Sequence, residues 1–481
     1  MEFADVYEGL FVYRTWFPYY IQAFSLWVLG HTTFAARFPF ALCGVFSVLF
    51  LYVLTLKLTS KKTVAFLASL FLASSVPAIL YFRTARYIGF PILLTILLIF
   101  FYMKMYDEDK KWNLVPFAIT SILYFHSMYV EFAGTILGIF IHFLLHRKTL
   151  SGETQKKVLI CMGVIIAFTL PWIIFISPVF QKVYQVLEIR SRYIDVTSWG
   201  YLKRFFAFLF QLNNYIFPFI VIPVLFLKRL GAYKSQIQLL VICTLTTVGI
   251  SVLHYIPLQN YIASVFPLVF ILLALIIAEG FRAPLLVKTT AVLLLISTNI
   301  FHVGPLLPVK KVLVTQPGWF ESSQYLKGVH STFVWQVDLF SIYFKYLYEI
   351  SHPYKGPLDA VVAFFNNRGK PGDTCVIDRE GISLAFYTGM KLINKNNLTF
   401  QDTPDWIILR SKSIDLDGEK STLSSTLATL KTIVQSNPYE KFVLNAPVNR
   451  INNSYEIQLH KFQIPAKKGK IYIYKLIKPS T

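Results

Sequence analysis

Apolar runs long enough to cross a lipid bilayer recur along this chain as far as Val303, and they govern what it can fold into. A spanning helix needs about 20 mostly apolar residues. About ten candidates run at Phe38–Leu56, Val64–Tyr81, Tyr87–Met103, Leu114–Val130, Phe132–Leu145, Val158–Ser177, Phe205–Leu227, Ile237–Ile256, Ile262–Ala278 and Thr289–Val303. Hydrocarbon offers the backbone no water to bond with, so each run is expected as a helix. A mean hydropathy of +0.54 with 55% hydrophobic residues fits a polytopic α-helical membrane protein and not a soluble domain.

The charges between the runs give a sidedness. One set of loops holds Lys57, Lys61, Lys62, Lys104, Lys110, Lys111, Arg147, Lys148, Lys156, Lys157, Lys228, Arg229, Lys234, Arg282 and Lys288. The alternate loops are poorer, with Arg83, Arg86, Lys182, Arg190, Arg192, Lys203 and Arg204. The richer set is expected to be cytoplasmic. The N-terminal segment and everything beyond Val303 then lie outside, which predicts an integral multi-pass protein of the cell (inner) membrane with an extracytoplasmic C-terminal domain. An external N-terminus with no basic signal region and acids at Glu2, Asp5 and Glu8 implies a further helix upstream of Met1. The net charge of +21 is thereby assigned to membrane flanks and lipid head groups. No nucleic-acid motif accompanies it, and no nucleic-acid partner is expected. Cys43, Cys161, Cys243 and Cys375 have neither metal-site nor disulfide spacing and read as buried apolar residues.

Three regions follow. Residues 1–37 form an aromatic, interfacial external segment, residues 38–303 the transmembrane domain, and residues 304–481 an extracytoplasmic α/β domain. Within the last, Thr332–Ile350 reads as interfacial because it carries Asp338, Lys345 and Glu349. Beyond Gly356 the pattern predicts a helix at Leu358–Asn367, a turn at Gly369–Asp373 and a strand at Thr374–Ile377. A helix near Ser383–Tyr387 and strands at Trp406–Leu409, Tyr455–Phe462 and Lys470–Leu476 follow. Sequons stand at Asn397 and Asn452.

Several short motifs occur in a fixed order. Phe17-Pro18-Tyr19-Tyr20 is followed by Leu29-Gly30 and Ala36-Arg37-Phe38-Pro39. Tyr81-Phe82-Arg83-Thr84-Ala85-Arg86-Tyr87, then His126, then Asn260-Tyr261 with Pro267 come next. This order resembles the GT-C superfamily of membrane glycosyltransferases, in the branch of the dolichyl-phosphate-mannose protein mannosyltransferases and the lipid A aminoarabinose transferase. Pro371-Gly372-Asp373, Phe386–Gly389 and Pro404-Asp405-Trp406 are similar to tails of bacterial members. The resemblance implies an inverting transferase that moves a hexosyl or pentosyl group from a polyprenyl-phosphate donor to an unidentified acceptor. It implies an acidic pair before a glycine in the first external loop, where this chain has Asp5 and Glu8 ahead of Gly9. Neither alignment restores both acids, and Asp5 is placed ahead of Glu8 as the base. Asn260 stands where the family has an arginine.

The chemistry demands matching groups. A departing lipid phosphate needs cationic stabilisation, and an acceptor hydroxyl needs a carboxylate to take or orient its proton. Arg83 and Arg86, three residues apart on a helix, would share one face and fork onto phosphate oxygens. Arg37 either anchors its loop or adds to the phosphate site. Tyr87, His126 and Tyr261 are supporting residues, although the reading of His126 as a hydrogen-bonded helix-end histidine comes ahead of a role at the site. The segment Gln181–Arg204 either contacts sugar and phosphate or rests on lipid. A soluble nucleotide-sugar donor finds no glycine-rich loop. The sequence singles out no cofactor, and a divalent cation (Mg or Mn) bridging acid and phosphate fits the chemistry. A transporter or flippase, which concentrates charge at the midplane, and an inactive scaffold of the same fold are the alternatives.

Overall fold

The computed structural model describes residues 15–107, 114–191, 197–215, 227–254, 259–297, 346–347, 350–351, 356–377, 380–393, 398–399, 401–409, 425–447 and 468–478. The chain divides into two compact units, Met1–Phe344 and Lys345–Thr481.

Each expected apolar run of the first unit overlaps a helix. The helices are α1 (Phe17–Leu29), α2 (Thr33–Thr59), α3 (Lys62–Ser74), α4 (Val76–Arg83), α5 (Gly89–Asp107) and α6 (Leu114–Phe125). Then come α7 (Tyr129–His146), α8 (Gly152–Ser191), α9 (Ser198–Tyr215), α10 (Lys234–Ser251), α11 (Phe266–Leu275) and α12 (Leu285–Ser297). Among the described residues five helices are long and apolar enough to cross a membrane, or six if the bent pair α3–α4 is one span. The bend of 60° falls at Ser75, before Pro77, whose ring interrupts the helical ladder. The helices α6 and α12 are shorter apolar pieces.

Small residues set how closely the helices approach. On α7, Gly134 and Gly138 lie one turn apart and face α10. A Cβ at Gly138 would stand 2.6 Å from the Cα of Cys243, and one at Gly134 would collide with the Cα of Thr247. Lipid is as apolar as leucine, so such close backbone contact, and not hydrophobic exclusion, holds membrane helices together. Hydroxyls pair across the same seam. Thr135 meets Thr247 at 3.2 Å and Tyr124 at 3.3 Å, and Thr95 donates to the Tyr124 hydroxyl at 2.9 Å. All four side chains are buried.

Helix α1 differs from the others. Tyr20, Phe24 and Trp27 recur at helical spacing and are exposed, while Pro18 and Ser25 are buried. Among the described residues nothing covers this aromatic face. Gly30, with φ of 82°, breaks α1, and the Thr32 hydroxyl caps α2 by accepting from the Ala35 N–H at 3.0 Å.

The second unit is α/β. Its sheet has the order β2-β1-β3-β5-β4, from β1 (Thr374–Ile377), β2 (Lys391–Leu392), β3 (Trp406–Leu409), β4 (Tyr439–Pro447) and β5 (Lys468–Leu476). Strands β2, β1 and β3 are parallel, and β5 runs antiparallel to β3 and β4. Helices α13 (Pro357–Arg368), α14 (Gly381–Thr388) and α15 (Ser425–Ser436) complete it. Val376, Ile407 and Tyr474 pack toward Ile433, while Cys375, Ile408 and Ile473 pack with Phe365. Strands β1 and β3 and the middle of β5 are thus buried on both faces, which accounts for their continuous apolar runs. Asp405 fastens β3 to β1, accepting from the Thr374 N–H and hydroxyl, each at 2.8 Å, and from Lys478 at 2.6 Å. The expected strand Tyr455–Phe462 lies outside the described residues, and so does most of the expected interfacial segment Thr332–Ile350.

Candidate active site

One end of the helical unit gathers the start of α1, the α4–α5 turn, the α6–α7 turn, and the stretch joining α10 to α11. The joints are polar. Phe17 N–H donates to the His126 carbonyl at 3.3 Å. Ser264 N–H donates to the Glu131 carboxylate at 3.2 Å, and the Ser251 hydroxyl donates to the Tyr261 carbonyl at 2.9 Å. The basic loops carrying Lys61, Arg147 and Arg229 occupy the opposite helix ends.

The arginines sit differently from the expected helical pair. Helix α4 stops at Arg83, and Thr84 leaves it in an extended conformation. The Arg86 N–H folds back to the Thr84 carbonyl at 2.7 Å. A turn therefore replaces the helical face on which both side chains were expected. Arg83 is half-buried at the helix end, and Arg86 is exposed in the turn. The break at Ser75–Pro77 upstream and the fresh helix start at Gly89 downstream leave only the short α4 between them, which is why the three-residue spacing carries no helical meaning here.

Tyr87 joins this turn to the rest. Burial pushes its phenol above the ordinary range, and the phenols of Tyr261 and Tyr19 add to the rise, while neighbouring Arg86 opposes it. Tyr261, Tyr19, Arg86 and Glu131 are thus each within electrostatic reach of Tyr87. Tyr261 stacks on His254 with ring centroids 3.8 Å apart and planes 9° apart. His254 is held neutral, its value lowered to about 4 by burial.

His126 stands in an aromatic box of Trp16 (4.7 Å between centroids), Phe125 (4.9 Å) and Trp172 (5.4 Å). Trp172 in turn donates to the Tyr129 hydroxyl at 2.8 Å. Burial lowers His126 to about 4, so its ring is a neutral hydrogen-bonding group and not a cation at neutral pH. Its Nδ1 has no hydrogen-bond partner among the described residues, and neither have His254 Nε2 and Asn260 Oδ1. Unpaired buried polar atoms are costly in a folded chain, and each calls for a partner such as water, an ion or a ligand. Arg37 is exposed on the second turn of α2. Asp5 and Glu8 lie outside the described residues.

Glu131 escapes a sequence reading, and Arg204 takes a buried place that its segment did not foretell. Glu131 falls between two of the expected apolar runs, Leu114–Val130 and Phe132–Leu145. The structure puts it in the first turn of α7, 1% exposed. Arg204 is 7% exposed, donates from Nε to the Val252 carbonyl at 2.9 Å, and lies over Tyr201. It ties α9 to the end of α10 and is buried, whereas Trp199 is exposed. Among the described residues no three His, Cys, Asp or Glu side chains converge as a metal site.

Residues 14–175 match the family model described as dolichyl-phosphate-mannose-protein mannosyltransferase. Among solved structures, the chain is similar to ArnT from Cupriavidus metallidurans bound to undecaprenyl phosphate. The identity is 11% and the TM-score 0.52, over 96% of this chain and 88% of that one. No curated protein matches the sequence. The matched segment supplies α1 through most of the span of α8, and hence Arg83, Arg86, Tyr87, His126 and Glu131.

Proposed function

We propose that this chain, a membrane glycosyltransferase of the GT-C superfamily in its N-terminal sequence and its fold, moves a sugar from a polyprenyl-phosphate carrier to an acceptor hydroxyl at the outer membrane face. The observation that carries this reading is the coincidence of the family match with the helix end where Arg86, Tyr19, Tyr261 and the buried Glu131 act on Tyr87, with Arg83 three residues before Arg86. That end is the one the loop charges assign to the outside, where a flipped carrier presents its phosphate.

The lipid phosphate binds at the α4–α5 turn. Arg83 and Arg86 take its oxygens, since a guanidinium offers two parallel donors to a phosphate edge. Their charge stabilises the leaving phosphate as the anomeric bond breaks. Tyr87 keeps its proton near neutral pH and serves as a donor beside them. Asp5 or Glu8 takes the proton of the acceptor hydroxyl as it attacks the anomeric carbon. The new glycosidic bond forms as the carbon–phosphate-oxygen bond breaks, with inversion. Arg37 anchors the start of α2 at the head-group level.

Purified protein in lipid nanodiscs, given polyprenyl-phosphate sugars labelled in the sugar, tests the reading. Transfer of label to an acceptor with release of polyprenyl phosphate, lost in Arg83→Ala/Arg86→Ala, supports it. Bound carrier without any transfer from any donor would leave the scaffold reading in its place.

A further inference from the structure

Glu131 is an expensive residue. It is 1% exposed at the head of a membrane helix, and its neighbours Thr135, Thr247, Tyr124 and Ser264 are buried as well. An ionised carboxylate in such a place costs several kcal/mol of desolvation that one hydrogen bond only partly offsets. Capping the positive end of α7 gives back well under that. A neutral side chain would serve the fold at least as well. What the carboxylate does is specific: it accepts the Ser264 N–H at 3.2 Å, bridging α7 to the 3₁₀ stretch Gln259–Val265. That stretch carries Asn260, one turn before Ser264, and Tyr261, which reaches Tyr87. Asn260 is 8% exposed and its Oδ1 has no partner among the described residues.

We propose that Glu131 is a positioning residue for sugar transfer, holding the Gln259–Val265 stretch so that the Asn260 carboxamide meets a hydroxyl of the donor sugar. The inference rests on the polyprenyl-phosphate reading above. The unbonded Asn260 Oδ1 is an acceptor, and a sugar hydroxyl is the donor that a transferase site brings to it. Glu131 touches no substrate. It acts through the backbone of Ser264, so an uncharged oxygen at the same place preserves its effect, because positioning depends on geometry and not on charge.

The test uses the full chain in nanodiscs, with steady-state transfer and direct binding of a polyprenyl-phosphate sugar measured on the same preparations. Glu131→Gln keeps an acceptor for the Ser264 N–H and stays within about threefold of the parent in KM and kcat. Glu131→Ala raises donor KM about tenfold, the loss of one hydrogen-bonded contact, and changes kcat less. Asn260→Ala does the same, and the double variant is no worse than either alone, since both remove one contact. Glu131→Leu fills the space without an acceptor and takes the place of alanine if that variant is not recovered folded. Glu131→Gln as impaired as Glu131→Ala would overturn the inference, because the charge would then be the active property. Losses that multiply in the double variant would overturn it too. If the parent binds the donor but transfers nothing, the transferase reading fails alone, and the same pattern in the binding constants still decides the role of Glu131.

Discussion

Gly134→Ala tests the packing on which the site rests. The added Cβ would be driven into the backbone of α10, meeting the Thr247 Cα and standing 3.0 Å from its amide nitrogen. Neither atom turns away as a side chain would, so the two helices must part. Overpacking a tight core costs about 1–3 kcal/mol, and a backbone obstacle belongs at the upper end. Alanine returns up to about 1 kcal/mol through its helix propensity, which leaves a net loss of about 2 kcal/mol. Gly249, on α10 itself, has open space around its Cα. Gly249→Ala therefore keeps the propensity gain without the collision and stabilises by up to about 1 kcal/mol. Equilibrium unfolding of both variants in one detergent reads the difference. The Thr135–Thr247 bond at 3.2 Å adjoins the seam, so Gly134→Ala also lowers transfer. A Gly134→Ala protein as stable as Gly249→Ala would refute the close-contact account of α7 and α10.

Further outcomes follow from individual residues. Arg86→Ala or Arg83→Ala raises the KM for the lipid-phosphate donor about tenfold or more, the value of a charge-assisted bond, and lysine at either place recovers part of it, as transfer assays with varied donor will read. His126 binds its proton more weakly folded (about 4) than unfolded (6.5), so its contribution is complete above pH 6.5 and falls away as pH drops from 6.5 toward 4. The loss is visible as a decline in melting temperature between pH 6.5 and 4 that His126→Gln flattens. In the second unit, burial would raise Asp405, but the Lys478 ammonium and the Thr374 donors outweigh it and hold the carboxyl below its ordinary 3.8. Its stabilisation is present above pH 3.8 and is lost below it. Asp405→Ala speeds hydrogen exchange across Thr374–Ile377 and Trp406–Leu409 in the full chain, whereas unchanged protection there would remove Asp405 as the tie between these strands.

Apolar run length was enough to place the helices, because a membrane leaves the backbone one solution. In the second unit Thr374–Ile377 and Trp406–Leu409 were legible to the residue, since strands buried on both faces read as unbroken apolar runs. Strand β4, Tyr439–Pro447, was not, because exposed Lys441 and Val443 sit on its outer face and blur the alternation. At the candidate site, order and sidedness pointed to Arg83, Arg86, Tyr87, His126 and Tyr261. Their arrangement was hidden by the end of α4 at Arg83, a break that depends on how the Gly89 helix packs back. Glu131 was hidden for another reason. A single acid between two apolar runs looks like a connection, and only the crossing of α7 with the Gln259–Val265 stretch, more than a hundred residues away, makes it part of the site.

The central claim is transfer from a lipid-phosphate donor at the α4–α5 turn. The most direct measurement is single-turnover release of polyprenyl phosphate from a labelled polyprenyl-phosphate sugar, comparing the parent with Arg83→Ala/Arg86→Ala in nanodiscs. The account predicts acceptor-dependent release, with inversion at the anomeric carbon, that falls by two orders of magnitude or so in the double variant (about 3 kcal/mol). Release unaffected by loss of both arginines, or a product of retained configuration, would contradict it.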